Sequence, residues 1–231
     1  MRVRIKFTKT GSMKYIGHLD TMRFFQKALR RAGVPVSYSE GFSPHIIMSF
    51  AQPLGVGVTS EGEYFDLDMK EAVPSEKMVT LLNEQMPENI SAVSVVKIPE
   101  DKANKCMTLV AAADYYVGFK DDDELFGRLR DKLEAFLNKE EIKVLKKTKK
   151  NETVTDIRPL IYGFSVGEKE LFLKVSSGSV DNVKPQLVMN AFFEELGIDA
   201  ESVSLRIHRK ELYARKNEKF IPLCRLGEEI H

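Results

Sequence analysis

The sequence predicts an α+β fold built from two tandem halves, each with the element order βαββαβ. Two observations predict it. Strand-like alternation and helical periodicity follow one another in the same order twice, and the second pass repeats the first at an offset of roughly a hundred residues. A chain of 231 residues also has room for two small domains of about 100 residues. We therefore expect two tandem ferredoxin-like half-domains with antiparallel sheets.

The first half begins with a strand and an amphipathic helix. Arg2–Thr8 alternates polar and apolar residues, with Val3, Ile5 and Phe7 on one face. His18–Ala32 then places apolar residues at helical spacing. The later elements predicted for this half are strands at Val36–Ser39, Ile46–Phe50, Glu63–Met69 and Ile90–Ile98, and a helix at Glu76–Met86.

The second half repeats this order. Ala111–Phe119 alternates as a strand, and Asp121 to Asp123 stand where a helix dipole favours negative charge. Pro185 opens a later helix that ends at Gly197. The helix after the aspartates buries Leu125, Leu129, Leu133, Phe136 and Leu137, and strands are predicted at Ile142–Lys147, Leu160–Val166, Leu171–Val175 and Val203–Arg209.

These patterns predict the limits of the domains. We place an N-terminal ferredoxin-like domain, which carries the motifs GHLD and GFSPH, at residues 1–100 and a C-terminal ferredoxin-like domain at residues 106–210. Polar and charged residues cluster at Pro99–Lys105, as is typical of a linker. Residues 211–231 are predicted as a charged tail that packs as a strand or extends into solvent.

Composition excludes several classes of protein. Cys106 and Cys224 are the only cysteines and form no CxxC motif, so this chain alone cannot assemble a zinc knuckle or an iron–sulfur cluster. The N-terminal MRVRIKF is not a signal peptide, and no apolar run reaches the ~20 residues of a membrane span. The sequence therefore predicts a cytoplasmic protein with reduced thiols, no membrane contact and no cofactor. A net charge of +1 leaves nucleic-acid binding to local patches.

One such patch is predicted on the first helix. Because positions i, i+4, i+7 and i+8 project together, its basic residues form a stripe opposite the apolar face. The stripe is either a solvated helix surface or a surface that contacts phosphates. Four aromatic residues near the basic loops could stack on bases, although aromatic residues in a small α+β fold are usually part of the core: Tyr15, Tyr38, Phe42 and Tyr64. The predicted nucleic-acid-binding residues are Lys9, Lys14, Arg23, Lys27, Arg30 and Arg31.

Three residues are candidates for acid–base chemistry. His18 and Asp20 stand at the start of the first helix, and His45 stands in the GFSPH loop, so the fold could bring them together. The alternative is that His18 and Asp20 cap the helix and His45 bonds within its loop. Because their spacing matches no zinc or facial-triad motif, no metal site is predicted.

The stretch Phe7–Asp66, with GHLD and GFSPH, resembles a bacterial radical-SAM-associated family of unknown function. Members of that family are free-standing or fused behind a radical-SAM enzyme, and this chain resembles a stand-alone member. The resemblance is fainter at Asp156–Pro159 and Ile207–Tyr213. Ile46 and Ile47 stand where the family commonly has proline and a basic residue, so no positive charge is implied there.

The resemblance implies an accessory protein that acts with a radical-SAM enzyme. The chain has no CxxxCxxC motif, so a partner chain would carry the cluster. The tandem architecture is also similar to that of RNA-processing endonucleases of CRISPR systems, but the glycine-rich C-terminal loop of those enzymes is missing.

Three functional hypotheses follow from these patterns. The first is an RNA-binding module that presents RNA to a radical-SAM enzyme, and the second is a protein-interaction scaffold. The third is a hydrolase or RNA-processing nuclease that uses His18 or His45 as a general acid or base. The sequence favours a non-enzymatic role and leaves the oligomeric state open.

Overall fold

A computed structural model of the chain describes residues 1–120, 122–147 and 152–231. These ranges contain five α-helices and eleven β-strands, and the chain divides into two units. The first unit combines Met1–Ala112 with Arg209–His231, and the second is Ala113–His208. The mixed α+β class is confirmed. No described helix is both long enough and apolar enough to cross a membrane.

The first unit is built on a largely antiparallel sheet. Strand β1 (Arg2–Lys9) lies between β4 (Ile90–Ile98) and β3 (Thr59–Asp68), and both β2 (Met48–Phe50) and β10 (Leu205–Lys216) lie beside β3. The pairs β1–β3, β1–β4 and β2–β3 are antiparallel. The elements are β1 Arg2–Lys9, α1 His18–Arg31, β2 Met48–Phe50, β3 Thr59–Asp68, α2 Ser75–Asn83, β4 Ile90–Ile98, α3 Cys106–Leu109, the start of β5 (Val110–Phe119), the end of β10 (Leu205–Lys216) and β11 Lys219–Pro222.

The apolar face of β1 forms the core of this unit together with α1. Val3, Ile5 and Phe7 are buried, as the alternation predicts. The Phe7 ring meets the Phe25 ring of α1 at a centroid separation of 4.6 Å. Leu29 lies one helical turn further along α1 and is fully buried. Helix α1 is therefore held by its apolar face, which leaves the opposite face outward.

The other face of β1 is charged, yet it is also largely buried. Arg2 and Arg4 lie opposite Asp68 and Asp66 of β3 in the antiparallel register. Arg4 Nε donates to Asp66 Oδ1 over 2.8 Å, and these side chains are 1% and 2% exposed. The sequence alternation predicts a strand with one solvated face. In the structure that face is covered.

Two distant parts of the chain supply the cover. Arg4 Nη2 donates to the carbonyl of Asn104 over 2.6 Å, and Arg4 Nη1 donates to that of Leu223 over 3.3 Å. Asp66 Oδ2 accepts from the backbone N–H of Cys106. The Arg4–Asp66 pair therefore anchors both the 99–105 segment and the C-terminal segment to the sheet.

The second unit also combines helices with a sheet. Its sheet has the order β10, β5, β9 (Glu170–Ser176) and β8 (Ile161–Val166), and β6 (Lys143–Lys147) and β7 (Glu152–Asp156) form a separate antiparallel pair. Its core contains the buried rings Phe119, Phe126, Phe192 and Phe193. Its elements are the rest of β5, α4 Asp123–Leu137, β6 Lys143–Lys147, β7 Glu152–Asp156, β8 Ile161–Val166, β9 Glu170–Ser176, α5 Pro185–Glu195 and the start of β10.

Some details of the second half differ from the sequence-based prediction. Asp122 caps α4 by accepting from the Leu125 N–H, whereas Asp121 lies outside the described residues. Glu152–Asp156 is not among the predicted strands, but it forms β7, because the β-branched run Thr153-Val154-Thr155 suits a strand. The lysine-rich segment at 145–150 lies outside the described residues from position 148 onward.

Candidate functional site

The basic stripe predicted on the first helix lies on the outward face of α1. Arg23, Lys27 and Arg30 are all exposed. Arg23 lies 3.6 Å from Asp20, and both side chains are 68% exposed, so water screens this pair. Among the described residues, Lys27 and Arg30 have no ion-pair partner. The face therefore presents three cationic groups in succession, and we call these three residues the α1 basic face.

Arg31 is oriented differently from its neighbours. Its Nε donates to Gln85 Oε1 and its Nη2 donates to the Gln85 carbonyl, each over 3.2 Å. These bonds direct the guanidinium toward the end of α2, although it stays exposed. Arg31 thus lies at one edge of the α1 basic face, and its guanidinium is partly occupied by the hydrogen bonds to Gln85.

Lys9 does not take part in a surface patch, which corrects its predicted assignment. It is 2% exposed, and its Nζ donates to the carbonyl of Ile16 over 2.5 Å. Burial lowers the pKa of Lys9, and the Arg209 guanidinium lowers it further, while Glu63 opposes that shift. Lys9 continues the alternation of Val3, Ile5 and Phe7. That parity is the sequence signal for its burial.

Lys14 and Tyr15 lie just before α1. Lys14 is partly buried, and its Nζ lies 5.2 Å from the centroid of the Tyr15 ring, at cation–π distance. The Tyr15 side chain is largely exposed, as is Leu19 in the first turn of α1. The Lys14 carbonyl accepts from the Gly57 N–H, which brings the exposed Val56 close to this group. A cationic and apolar patch therefore borders the start of the helix.

His18 lies at the end of the apolar core. Its ring meets the edge of Phe50 at a centroid separation of 5.1 Å. It borders a recess of about 10 Å³, which Lys9 and Glu63 also line. That volume is on the order of one water molecule. The recess is therefore too small for a substrate in this conformation.

The acidic group beside His18 is already engaged. Arg209 Nε donates to Glu63 Oε1 over 2.8 Å, and both side chains are almost fully buried. Arg209 Nη2 also donates to the Gln52 carbonyl over 2.8 Å. Glu63 is therefore held as a structural anion rather than presented as an accessible base.

His45 and Asp20 are not joined to His18 by any described hydrogen bond or ion pair. His45 Nδ1 lies 2.9 Å from Ser39 Oγ, and the His45 N–H donates to the same oxygen over 3.1 Å. These bonds close the GFSPH loop on itself. Among the described residues, no three His, Cys, Asp or Glu side chains converge as metal ligands.

The loop between Ser39 and His45 presents an aromatic ring to solvent. Phe42 at its tip is fully exposed. Gly41 before it has a φ of +106°, a conformation that side chains other than glycine rarely adopt. The loop therefore holds the Phe42 ring in solvent, where it is available for stacking or docking.

Sequence reasoning missed a second buried network. Tyr64 donates to Glu211 Oε1 over 2.6 Å, and Lys6 Nζ donates to Glu211 Oε2 over 2.7 Å. Burial raises the pKa of Tyr64 well above its usual value, and the Glu211 carboxylate adds to that rise. Part of the signal was present in the sequence, because Arg2, Arg4 and Lys6 alternate on β1 and Asp66 and Asp68 alternate on β3, but nothing local points to Glu211.

Cys106 is expected to be unreactive in the folded protein. Burial and the nearby Asp66 carboxylate raise the pKa of its thiol to about 12, and the thiolate is the reactive form. Cys224 is less buried. A chromogenic disulfide reagent should therefore label Cys224 first, and Cys106 only after unfolding. Cys224→Ser should abolish native labelling, whereas Cys106→Ser should leave it unchanged; rapid labelling of Cys106 would contradict this.

The fold and surface define an α+β protein with an outward basic helix and, in the described chain, no assembled metal site. A family model described as an uncharacterized protein conserved in bacteria (DUF2344) matches residues 2–185. The chain therefore belongs to this family, which confirms the membership in a bacterial family of unknown function predicted from Phe7–Asp66. None of the curated proteins matches the chain in sequence.

Proposed function

We propose that this protein is an RNA-binding module that acts with a separate radical-SAM enzyme. The observation that carries the proposal is the α1 basic face. Arg23, Lys27 and Arg30 are exposed, the first has only a screened partner, and the other two have none in the described chain. Helix α1 is fixed by its apolar side. The backbone positions of these three residues are therefore fixed relative to one another.

The spacing of these cations suits a phosphate backbone. With a rise of about 1.5 Å per residue, Arg23 and Arg30 are separated by roughly 10 Å along the helix axis. Guanidinium groups bind phosphate oxygens through paired hydrogen bonds. The near-neutral net charge of +1 is no obstacle, because binding depends on the local field.

Exposed aromatic rings favour single-stranded RNA as the ligand. Tyr15 lies beside Lys14, and Phe42 projects from its loop. Single-stranded RNA is commonly bound by stacking its bases on such rings while cations contact the backbone. We propose that Tyr15 is the stacking ring nearest the α1 basic face.

The radical-SAM partner is proposed from the family resemblance and the cysteine content. With Cys106 buried and only Cys224 remaining, this chain supplies no set of thiolates for a cluster. The cluster would belong to the partner enzyme, and this protein would position the RNA.

We further infer that each of the two predicted domains, residues 1–100 and 106–210, is a ferredoxin-like half-domain. Strand order supports this inference. Counted within each half, the first sheet has the order 4-1-3-2 (β4-β1-β3-β2), and the second has the same order (β10-β5-β9-β8) when the separate β6–β7 pair is left out of the count. Residues 211–231, proposed as a tail, supply the end of β10 and β11.

Two other functions rank below RNA binding. A protein-interaction scaffold is favoured by the exposed Phe42, Leu19 and Val56, but it does not account for the cations of α1. The histidine-dependent hydrolase or nuclease ranks last, because His18 borders a recess of only about 10 Å³.

Charge reversal of the α1 basic face tests RNA binding. We expect the wild type to bind single-stranded RNA with an affinity that falls as salt rises. Arg23→Glu/Lys27→Glu/Arg30→Glu should weaken binding by about tenfold or more and reduce the salt slope by roughly 2, since each phosphate contact in a single strand contributes about 0.7. Fluorescence anisotropy across a salt series measures both quantities.

A matched control separates a specific face from bulk charge. Arg128, Arg130 and Lys132 are exposed on α4 in the second unit. Their reversal to glutamate makes the same change in net charge and should alter RNA affinity by less than about threefold. Equal losses in both variants, or an α1 variant that binds like the wild type, would contradict the proposal.

A further inference from the structure

The first unit contains a groove lined by basic residues, and none of the residues of the α1 basic face belongs to it. The groove has a volume of about 810 Å³ and lies between the end of β4, the 99–105 segment, the end of β10 and the 223–228 segment. Pockets of roughly 300–1,000 Å³ are the usual size for small-molecule ligands. The volume of this groove falls within that range.

Cations dominate the polar part of the lining. Lys97, Lys216 and Arg225 are exposed at the groove, and none of them has an ion-pair partner among the described residues. Arg215 also lines it and forms an exposed pair with Glu218. Glu228 is the acidic residue of the described lining. The groove is therefore net positive, with three cationic groups available to a ligand.

The walls of the groove are held in place by hydrogen bonds. Arg4 binds the carbonyls of Asn104 and Leu223, one in each of two walls. The backbones of Lys97 and Glu228 are joined by two hydrogen bonds of 2.7 and 3.0 Å. A groove whose walls are fixed in this way needs little reorganisation to bind a ligand.

Gly227 allows the 223–228 segment to lie very close to the backbone of β4. A Cβ at Gly227 would lie 2.5 Å from the Lys97 carbonyl oxygen, which is a backbone atom. Any side chain there would push the 223–228 segment away from β4. The absence of a side chain therefore keeps Arg225 and Lys97 on facing walls of the same groove.

We propose that this groove binds a small organic phosphate of the nucleotide class. Arg225 would bind phosphate oxygens through its guanidinium, and Lys97 and Lys216 would add point charges. Ile98, Leu109 and Leu226 in the lining provide an apolar surface for the organic part of the ligand. A concave site with apolar walls and a few convergent charges is typical of small-ligand recognition.

The shape distinguishes this groove from the proposed RNA surface. The α1 basic face is the outer side of a helix and can follow an extended backbone, whereas the groove is concave and suits a compact ligand. The proposal does not depend on RNA binding, because none of the α1 cations lines the groove.

Isothermal titration calorimetry of the full chain with ADP, and separately with inorganic pyrophosphate, tests the proposal. We expect saturable binding of ADP by the wild type. Lys97→Glu/Arg225→Glu should raise the Kd by about tenfold or more, because two charge-assisted contacts are lost. Glu228→Gln should lower the Kd, since it removes the opposing charge. Opposite shifts from these variants cannot both result from unfolding, and thermal melts of each variant check the fold.

Charge reversal of the α1 basic face is the control. It should leave the Kd for ADP unchanged while it weakens RNA binding, so the two proposals can fail separately. Binding of pyrophosphate but not ADP would overturn the nucleotide class. No binding of either probe, or equal affinities in the wild type and the groove variant, would overturn the site. A groove variant that loses only RNA affinity would assign the groove to RNA and overturn the proposal as well.

Discussion

Replacing Arg4 with methionine is expected to lower the free energy of unfolding by about 3–5 kcal/mol. The Arg4 and Asp66 side chains are 1% and 2% exposed and face each other across β1 and β3. Removing the guanidinium leaves the Asp66 carboxylate buried without its counter-charge. It also leaves the carbonyls of Asn104 and Leu223 without this donor. The destabilisation therefore combines an unpaired charge with two lost hydrogen bonds.

Urea unfolding followed by circular dichroism measures this change. Arg2→Met is the matched control, because Arg2 pairs with the more accessible Asp68, whose side chain is 25% exposed. Its loss should be clearly smaller. Arg4→Met/Asp66→Leu should recover much of the stability, since an apolar pair often replaces a buried ion pair at little cost. A loss below about 1 kcal/mol for Arg4→Met would show that the pair is not a stabilising anchor.

Gly62→Ala should destabilise the protein by about 1–3 kcal/mol through steric conflict between two strands. Gly62 is buried in β3, and a Cβ there would lie 2.6 Å from the Glu211 Cα and 2.8 Å from the Lys210 carbonyl oxygen of β10. Both are backbone atoms, so no side-chain rotation can relieve the clash. The strands must separate locally, which also disturbs the contact between Tyr64 and Glu211.

Gly127→Ala provides the opposite control. Gly127 lies within α4, and a Cβ there meets nothing within 4 Å. Alanine at this exposed helical position should increase stability by roughly 0.5–1 kcal/mol. Thermal melts and urea titrations of both variants should therefore shift in opposite directions. A Gly62→Ala protein as stable as the wild type would show that β3 and β10 can separate without cost.

Much of the fold could be predicted because its elements follow simple periodicities. The alternation of Val3, Ile5 and Phe7 and the helical spacing in α1 each report one buried face, and the structure buries those faces. A single periodic pattern does not report a second layer on the opposite face. Burial of Arg4 depends on contacts with Asn104 and Leu223, which are 100 and 219 residues away in sequence. Such pairings have no local signature.

The candidate site was predictable to a similar degree. Exposure of Arg23, Lys27 and Arg30 follows from helix geometry once Phe25 and Leu29 are placed inside. The separate environments of His18 and His45 could not be anticipated, because Phe50 packs against the first and Ser39 binds the second. The groove of Lys97 and Arg225 could not be predicted either. Its two sides, residues 97–109 and 214–228, are about a hundred residues apart in sequence and meet only after folding.

The discontinuity of the first unit has a consequence for synthesis on the ribosome. Its residues come from Met1–Ala112 and Arg209–His231, with the second unit encoded between them. While the second unit is being translated, the 209–231 segment has not yet been synthesised, so the charged face of β1 lacks the part of its cover that this segment provides. The nascent chain therefore leaves Arg4 and Lys6 without their contacts to Leu223 and Glu211, and the edge of β3 without β10, through about a hundred codons of elongation. During this period a chaperone could shield that surface.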